Sequence, residues 1–120
     1  MKTGPAAERK ARLGAQAALA RKAEELLVLN LEGLSTITDY FLLCCGTSTT
    51  QITAIAEAIE GTLKAEGSLP LHREGVPESG WILLDYGDVV MHVFLEETRR
   101  FYALEHLWGD APALSLEGIG

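Results

Sequence analysis

The sequence predicts an α/β (α+β) domain in which helices flank a mixed five-stranded sheet. Three observations support this prediction: segments with helical spacing near both ends and in the middle, short strand-like runs between them, and a length of 120 residues. Read along the chain, the element order is α-β-β-α-β-β-β-α. A chain of this length buries roughly two thirds of its unfolded surface, so we expect one compact core.

The first helix is predicted within residues 6–24, which are rich in Ala, Lys, Arg, Glu and Leu. Gly14 weakens this helix, because glycine loses more backbone entropy than alanine on folding. The run LLVLNL at 26–31 could continue the helix, but turn-forming residues follow at once and its length suits a buried strand. The run YFLLCCG at 40–46 predicts a central strand covered on both faces.

The two cysteines are neighbours within this second strand. Cys44 and Cys45 would point to opposite faces, which argues against both a disulfide between them and a shared metal. We therefore expect two reduced, interior side chains.

A second helix is indicated by its caps. Ser48 and Gln51 have the S-x-x-Q spacing of a capping box, and Gly67 is placed to end the helix. Its buried side is predicted from residues at helical spacing: Ile52, Ile55, Ala56, Ile59 and Leu63. The preceding turn, Gly46 to Ser48, could hold a phosphate on its backbone N–H groups, but it lacks the lysine and the glycine-rich length of a P-loop.

The remaining elements are shorter. They are a weak strand at 69–75, a hairpin of residues 81–86 and 89–95, and a closing helix at about 96–108 that begins with two glutamates. Phe101, Tyr102 and Trp108 are expected to pack this helix rather than contact a partner. We divide the chain into an N-terminal helical segment at 1–24, a main domain at 25–108 and a flexible C-terminal tail at 109–120.

The hairpin allows a prediction of which side chains share a face. A loop of two or four residues pairs Asp85 with Val90, Leu83 with His92 and Trp81 with Phe94. One face then carries these six residues: Trp81, Leu83, Asp85, Val90, His92 and Phe94. The other face is almost wholly apolar and is expected in the core: Ile82, Leu84, Tyr86, Val89, Met91 and Val93. We therefore expect the first face to be exposed, although a three-residue loop with a bulge would break this register.

The charge is distributed unevenly along the chain. Residues 1–22 contain six basic residues and one acidic residue, while residues 23–120 contain four basic and sixteen acidic residues, so the net charge is +5 and −12 respectively. An acidic body would be repelled by RNA or DNA, so we expect little direct RNA contact and favour a basic protein partner. The alternative is that the charge only maintains solubility.

The location of the protein is inferred from its apolar runs. None approaches the length that crosses a bilayer, and the charged N-terminus does not resemble a secretory signal, so we expect no membrane contact and a cytoplasmic location.

Asp85, Asp88 and His92 are the side chains that most suggest catalysis. Asp85 and His92 could form a base and its orienting carboxylate, but the sequence places no nucleophile or oxyanion donor beside them. His72 and His106 have no metal-ligand spacing with His92. We therefore expect no catalytic, cofactor-binding or metal-binding residues.

With these residues in view, the chain resembles the ribosomal silencing factor family, also called the Iojap family. The resemblance rests on three segments: STITDYFLLCCGTSTTQ at 35–51, EGVPESGWILLDYGDVVMHVF at 74–94 and EETRRFYALEHLW at 96–108. They cover most of residues 25–108 in family order, whereas the N-terminal helix and the tail carry little of the resemblance.

The resemblance implies a nucleotidyltransferase-like fold without catalytic residues. Transferases of that fold carry two carboxylates one residue apart on a strand, whereas Asp85 and Asp88 are three apart and flank a hairpin turn, so they could not easily hold two metal ions. It also implies that the protein binds protein fourteen of the large ribosomal subunit and obstructs joining of the small subunit when nutrients are short. A homodimer is expected from the family alone.

The predicted partner-binding residues are Trp81, Leu83, Asp85, Val90, His92 and Phe94, with Asp88 at the rim. Trp81 is the expected hot spot, and its alternative role is as a core residue. Two other functions remain open: a factor for assembly of the large ribosomal subunit, which the sequence cannot separate from silencing, and a nucleotidyltransferase-like enzyme.

Overall fold

The structure is a computed structural model and describes residues 6–102 and 111–116. Its element order is the predicted one. The elements are α1 (Ala7–Ala20), β1 (Glu24–Asn30), β2 (Tyr40–Gly46), α2 (Thr49–Ala65), β3 (His72–Glu74), a 3₁₀ turn (Pro77–Ser79), β4 (Trp81–Asp85), β5 (Val89–Leu95) and α3 (Glu96–Tyr102).

The five strands form one mixed sheet in the order β1-β2-β5-β4-β3. β2 and β5 are parallel, and the other three neighbouring pairs are antiparallel. The parallel pair is possible because α2, β3 and β4 lie between its strands in sequence and return the chain across the sheet. The predicted fold class is confirmed.

The main core lies between one face of the sheet and the helices α1 and α2. All six apolar residues predicted on the core face of the hairpin are buried there: Ile82, Leu84, Tyr86, Val89, Met91 and Val93. Helix α1 contributes alanines to the same core, so the N-terminal segment and the sheet fold together. Gly14 faces the thioether of Met91, and a Cβ at this position would overlap it, so the glycine permits close approach of the helix to the sheet.

Helix α2 has the caps and the buried side that the sequence predicts. The Ser48 hydroxyl accepts a hydrogen bond from the backbone N–H of Gln51 at 3.1 Å. The helix ends before Gly67, whose φ of +88° is in the left-handed region, and Ser68 N–H donates to the carbonyl of Leu63 at 2.8 Å. Its buried residues are the predicted five: Ile52, Ile55, Ala56, Ile59 and Leu63.

Cys44 and Cys45 are free, buried and on opposite faces of the sheet, as predicted. Burial raises the pKa of the Cys44 thiol to about 12 and also raises the pKa of Cys45. Both side chains therefore stay protonated at neutral pH.

The C-terminal segment at 111–116 is attached to the sheet, contrary to the prediction of a loose tail. Asn30 N–H donates to the carbonyl of Pro112 at 2.9 Å, and Leu114 N–H donates to the carbonyl of Val28 at 2.8 Å. The segment thereby covers the outer edge of β1, a role that the short sequence APALSL does not reveal.

Some predictions fall outside the described residues. They are the extension of the last helix to residue 108, the position of His106, the packing of Trp108, and the tail at 109–110 and 117–120. The packing of the Phe101 and Tyr102 side chains is also outside the description. In the part of the chain that is described, no helix is long and apolar enough to cross a bilayer.

Candidate functional site

The sheet face opposite α1 and α2 carries the predicted partner-binding residues. The hairpin register is as predicted: Trp81 lies opposite Phe94, Leu83 opposite His92 and Asp85 opposite Val90. This register places their side chains together because residues directly opposite each other in antiparallel strands point to the same face.

The third strand adds two residues that the sequence did not identify. His72 lies opposite Asp85 and Glu74 lies opposite Leu83, so both extend the same face toward the sheet edge. The three residues of β3 are all exposed, so no apolar alternation signals their register. Arg73 between them points to the other side, where it pairs with Glu60 of α2.

We define the open face as the exposed or half-buried part of this surface. Its members are His72, Glu74, Trp81, Leu83, Asp85 and Val90.

The prediction that His92 and Phe94 are exposed is wrong. His92 is 3% exposed and Phe94 is fully buried, in a second core with Leu29, Leu31, Leu43 and Cys45. The physical reason is the position of β5, which lies in the middle of the sheet beside apolar side chains of β2. A hairpin considered alone does not reveal which of its strands becomes central.

His92 is hydrogen-bonded to Trp81. The indole Nε1–H of Trp81 donates to His92 Nδ1 at 3.1 Å. Burial lowers the pKa of His92 to about 4, so the imidazole is neutral at physiological pH and can accept at Nδ1, with its proton on Nε2. His92 Nε2 is buried and has no hydrogen-bond partner among the described residues.

The two aspartates of the hairpin have structural partners. Asp85 Oδ1 accepts from the backbone N–H of Gly87 at 2.7 Å, which closes the turn. The Asp88 carboxylate accepts from Lys10 Nζ of α1 at 2.9 and 3.2 Å. Asp88, which was predicted at the rim of the partner surface, is therefore bound to helix α1 through Lys10.

A groove of about 220 Å³ opens beside Trp81. Trp81, Leu83, Glu74, Gly75 and Ser79 line it, so it combines an apolar surface with one carboxylate. The Ser79 hydroxyl donates to the carbonyl of Val76 at 2.7 Å and so fixes the turn that forms one wall. This arrangement can receive an apolar side chain together with a cationic group.

The turn before α2 is already occupied by its own hydrogen bonds. Thr47 N–H and its hydroxyl both donate to Gln51 Oε1, at 2.7 and 3.0 Å, and Gln51 N–H donates to Ser48. These donors are the ones a bound phosphate would use. Among the described residues, no group of three or more His, Cys, Asp or Glu side chains could hold a metal ion.

Comparison with known proteins identifies the family. The family model described as "Ribosomal silencing factor during starvation" matches residues 5–120. The chain belongs to this family. The resemblance inferred from the sequence is therefore confirmed, and with it the expectation of a ribosome-associated regulator.

Relatives within the family cover most of the chain. It is 44% identical to ribosomal silencing factor RsfS of Halalkalibacterium halodurans over 82% of this chain and 85% of the relative. It is 45% identical to RsfS of Bacillus subtilis over 81% of this chain and 82% of the relative. A mouse relative named mitochondrial assembly of ribosomal large subunit protein 1 is 33% identical over 72% of this chain and 39% of its own length.

Solved structures of similar proteins have the same fold. A crystal structure from Chromobacterium violaceum superposes with a TM-score of 0.84 at 30% identity and covers 88% of both chains. One from Bacillus halodurans gives 0.79 at 37% identity and covers 91% of this chain and 99% of the other.

Proposed function

We propose that this protein is a ribosomal silencing factor without catalytic activity, which acts in the cytoplasm. In this proposal it binds protein fourteen of the large ribosomal subunit and sterically blocks joining of the small subunit, so that translation falls under nutrient limitation or in stationary phase. The observation that carries the proposal is the open face, where a half-buried tryptophan lies beside a groove with an acidic rim.

The chemistry of the open face favours a basic protein over RNA. Trp81, Leu83 and Val90 are half-buried, so a partner can remove further apolar surface from water. Glu74 and Asp85 add negative charge in a chain whose net charge is −7. Opposite charges would speed encounter with a basic ribosomal protein, whereas ribosomal phosphates would be repelled.

The contact set changes from the one that the sequence suggests. We propose that Trp81, Leu83, Asp85 and Val90 contact the partner, joined by His72 and Glu74 of β3. His92 and Phe94 lie beneath this surface and support it. Asp88 contributes by holding the hairpin turn to α1.

The test is gradient sedimentation of purified ribosomal subunits with the wild-type protein and with Trp81→Ala. The wild-type protein should move with the large subunit and reduce the fraction of joined ribosomes. Trp81→Ala should weaken binding by about 2 kcal/mol, roughly 30-fold, and circular dichroism should show that it remains folded.

Two charge-reversal variants test whether binding depends on the open face or only on the net charge of the protein. Glu74→Lys on the open face and Glu57→Lys on α2 change the same charge at exposed positions on different sides. Only Glu74→Lys should weaken binding. A wild-type protein that never moves with the large subunit rejects the proposal, and normal binding by Trp81→Ala removes Trp81 from the interface.

Assembly of the large subunit is a second candidate, favoured by the name of the mouse relative. Both functions could use the same docking surface. Deletion of the gene distinguishes them: loss of an assembly factor should cause large-subunit precursors to accumulate during rapid growth. Loss of a silencing factor should instead leave mature subunits that remain joined during starvation.

A nucleotidyltransferase-like enzyme is the candidate of a different class. It would need nucleotide and metal binding near Ser48 and Asp85, whose groups make hydrogen bonds within the protein. Calorimetry with ATP and Mg²⁺ tests it directly, and saturable binding of the nucleotide would favour this candidate.

We also propose that the protein forms a homodimer. Three strongly exposed apolar residues flank the edge strand β3: Leu69, Leu71 and Val76. Such a patch beside the outer edge of β3, which has no neighbouring strand in the sheet, suits a twofold contact. Sedimentation equilibrium over a range of concentrations should show dimers, and Leu71→Lys should shift the protein to monomers, whereas a monomer at all concentrations would reject the proposal.

A further inference from the structure

We propose that His92 is a positioning residue for the open face: it accepts the indole N–H of Trp81 and thereby fixes the orientation in which the Trp81 ring meets a partner. The inference rests on the proposed function only in that the open face is taken as the binding surface. His92 is buried, so it would influence binding without touching the partner.

The bond between the two residues is diagonal across the hairpin. His92 lies opposite Leu83, two residues along β4 from Trp81. The indole nitrogen nevertheless reaches His92 Nδ1 at 3.1 Å, with the ring centroids 5.8 Å apart and the planes tilted by 38°. A half-buried indole at a surface can occupy more than one rotamer, and a directional hydrogen bond at one end selects among them.

His92 is itself held by other aromatic rings. Its ring stacks on Phe94 with an interplanar angle of 6° at 5.8 Å, and Phe41 of β2 meets it edge-on at 4.8 Å. Phe94 also contacts Trp81, at 5.1 Å between centroids. The central strands of the sheet therefore fix the acceptor nitrogen. The hydrogen bond to this nitrogen in turn fixes the orientation of the Trp81 ring at the surface.

An imidazole is a costly choice for this site if only packing is considered. The ring is surrounded by aromatic side chains, and Nε2 is buried without a hydrogen-bond partner among the described residues. An unpaired buried donor destabilises the folded protein, and an apolar side chain would avoid this cost. The imidazole accepts the hydrogen bond from Trp81 at Nδ1, which an apolar side chain could not do.

Three substitutions at position 92 separate the acceptor from the packing. In His92→Asn the side-chain oxygen can take the place of Nδ1, so the acceptor is retained on a smaller side chain. In His92→Gln the amide lies farther out, near the position of Nε2. In His92→Leu the site remains apolar and filled, but no acceptor is present.

The first measurement reports on the Trp81 ring. The chain has two tryptophans, so the variants are made with Trp108→Phe and the remaining indole N–H is followed by ¹⁵N–¹H spectroscopy. His92→Leu should shift this resonance and increase the ring mobility, and His92→Asn should restore most of the wild-type signal.

The second measurement is affinity for the purified large ribosomal subunit. Ordering one rotamer-rich side chain on binding costs enough to weaken binding by about 3- to 10-fold, which is the loss expected for His92→Leu. His92→Asn should bind nearly as well as the wild-type protein. In a Trp81→Phe background, which has no indole N–H, His92→Leu should cause no further loss.

The outcomes are distinguishable. If the wild-type protein binds but His92→Leu changes neither the indole signal nor the affinity, the positioning role is rejected. An equal loss in the Trp81→Phe background also rejects it, because the effect would not pass through the indole N–H. If His92→Leu does not fold, the indole signal and the affinity of His92→Asn, which retains the acceptor, are compared with those of His92→Gln, which displaces it. Equal values in these two variants would reject the positioning role. If the wild-type protein does not bind the subunit, the proposed function is lost, while the indole signal still decides whether His92 fixes Trp81.

Discussion

Lys10 Nζ lies 2.9 Å from Asp88 Oδ1, and this ion pair joins α1 to the turn between β4 and β5. The carbonyl of Asp88 also accepts from the N–H groups of Asp39 and Tyr40, at 3.0 and 3.1 Å. Asp88 thus connects the first helix, the end of the loop before β2 and the hairpin turn. One positive charge of the basic N-terminal segment is consequently used inside the fold and not for a partner.

The Lys10–Asp88 pair should contribute measurably to stability because its side chains are only 14% and 24% exposed. Lys10→Met and Asp88→Asn, alone and combined, should give a coupling energy of about 1 kcal/mol in urea unfolding. The pair Arg9–Glu66 is a matched control, since its side chains are 60% and 37% exposed, and its coupling should be near zero. Equal coupling in the two cycles would contradict the role assigned to Asp88.

Local patterns predicted much of this fold, because local physics determines them. The hairpin register follows from a short loop and period-two alternation, and the buried side of α2 follows from helical spacing. The exposure of His92 was mispredicted because it depends on the neighbour of β5, which no local pattern specifies. The bond of Lys10 to a residue 78 positions away leaves no periodic signal either.

Gln51 illustrates the same limit within a correctly predicted motif. Its side-chain oxygen accepts from Thr47 near the start of α2, as a capping residue does. Its side-chain nitrogen also donates to the carbonyls of Arg21 and Lys22 after α1, at 3.2 and 3.1 Å. The capping-box spacing predicts that this oxygen accepts from the N–H of the N-cap residue Ser48, whereas it accepts from Thr47, one residue earlier. The second role requires knowledge of where α1 ends in space.

Gln51→Glu should separate the two roles of this side chain. The carboxylate keeps an acceptor for Thr47 but loses both donors, and its second oxygen faces the carbonyls of Arg21 and Lys22. We expect a loss of about 1–3 kcal/mol in the free energy of unfolding and faster hydrogen exchange at the end of α1. Ser48→Ala is the control, because it should cost about 1 kcal/mol while affecting exchange only at the start of α2. Unchanged exchange in α1 with Gln51→Glu would contradict the assignment.

Gly75 and Gly67 have nearly the same backbone conformation in different surroundings. Their φ angles are +86° and +88°, but a Cβ on Gly75 would overlap the carbonyl oxygen of Trp81, while nothing lies within 4 Å of one on Gly67. Gly67→Ala should cost about 1 kcal/mol for the left-handed conformation alone. Gly75→Ala should cost about 1–3 kcal/mol more, because the backbone of β4 must shift. Thermal unfolding of both variants measures the difference, and equal losses would show that the overlap is relieved without cost.

His92 should make stability depend on pH between about 4 and 6.5. Burial lowers the pKa of His92 to about 4 from the usual 6.5 of a histidine, so below pH 6.5 the unfolded chain binds more protons than the folded one. The contribution of His92 to the free energy of unfolding is therefore fully present above pH 6.5. It is lost as the pH falls toward 4, by on the order of 3 kcal/mol in total. His92→Asn should lose less stability over this range, because it has no imidazole to protonate. Carboxylates titrate in both proteins, so the difference between their urea midpoints at each pH isolates His92. Parallel curves would mean that protonation of His92 does not oppose folding.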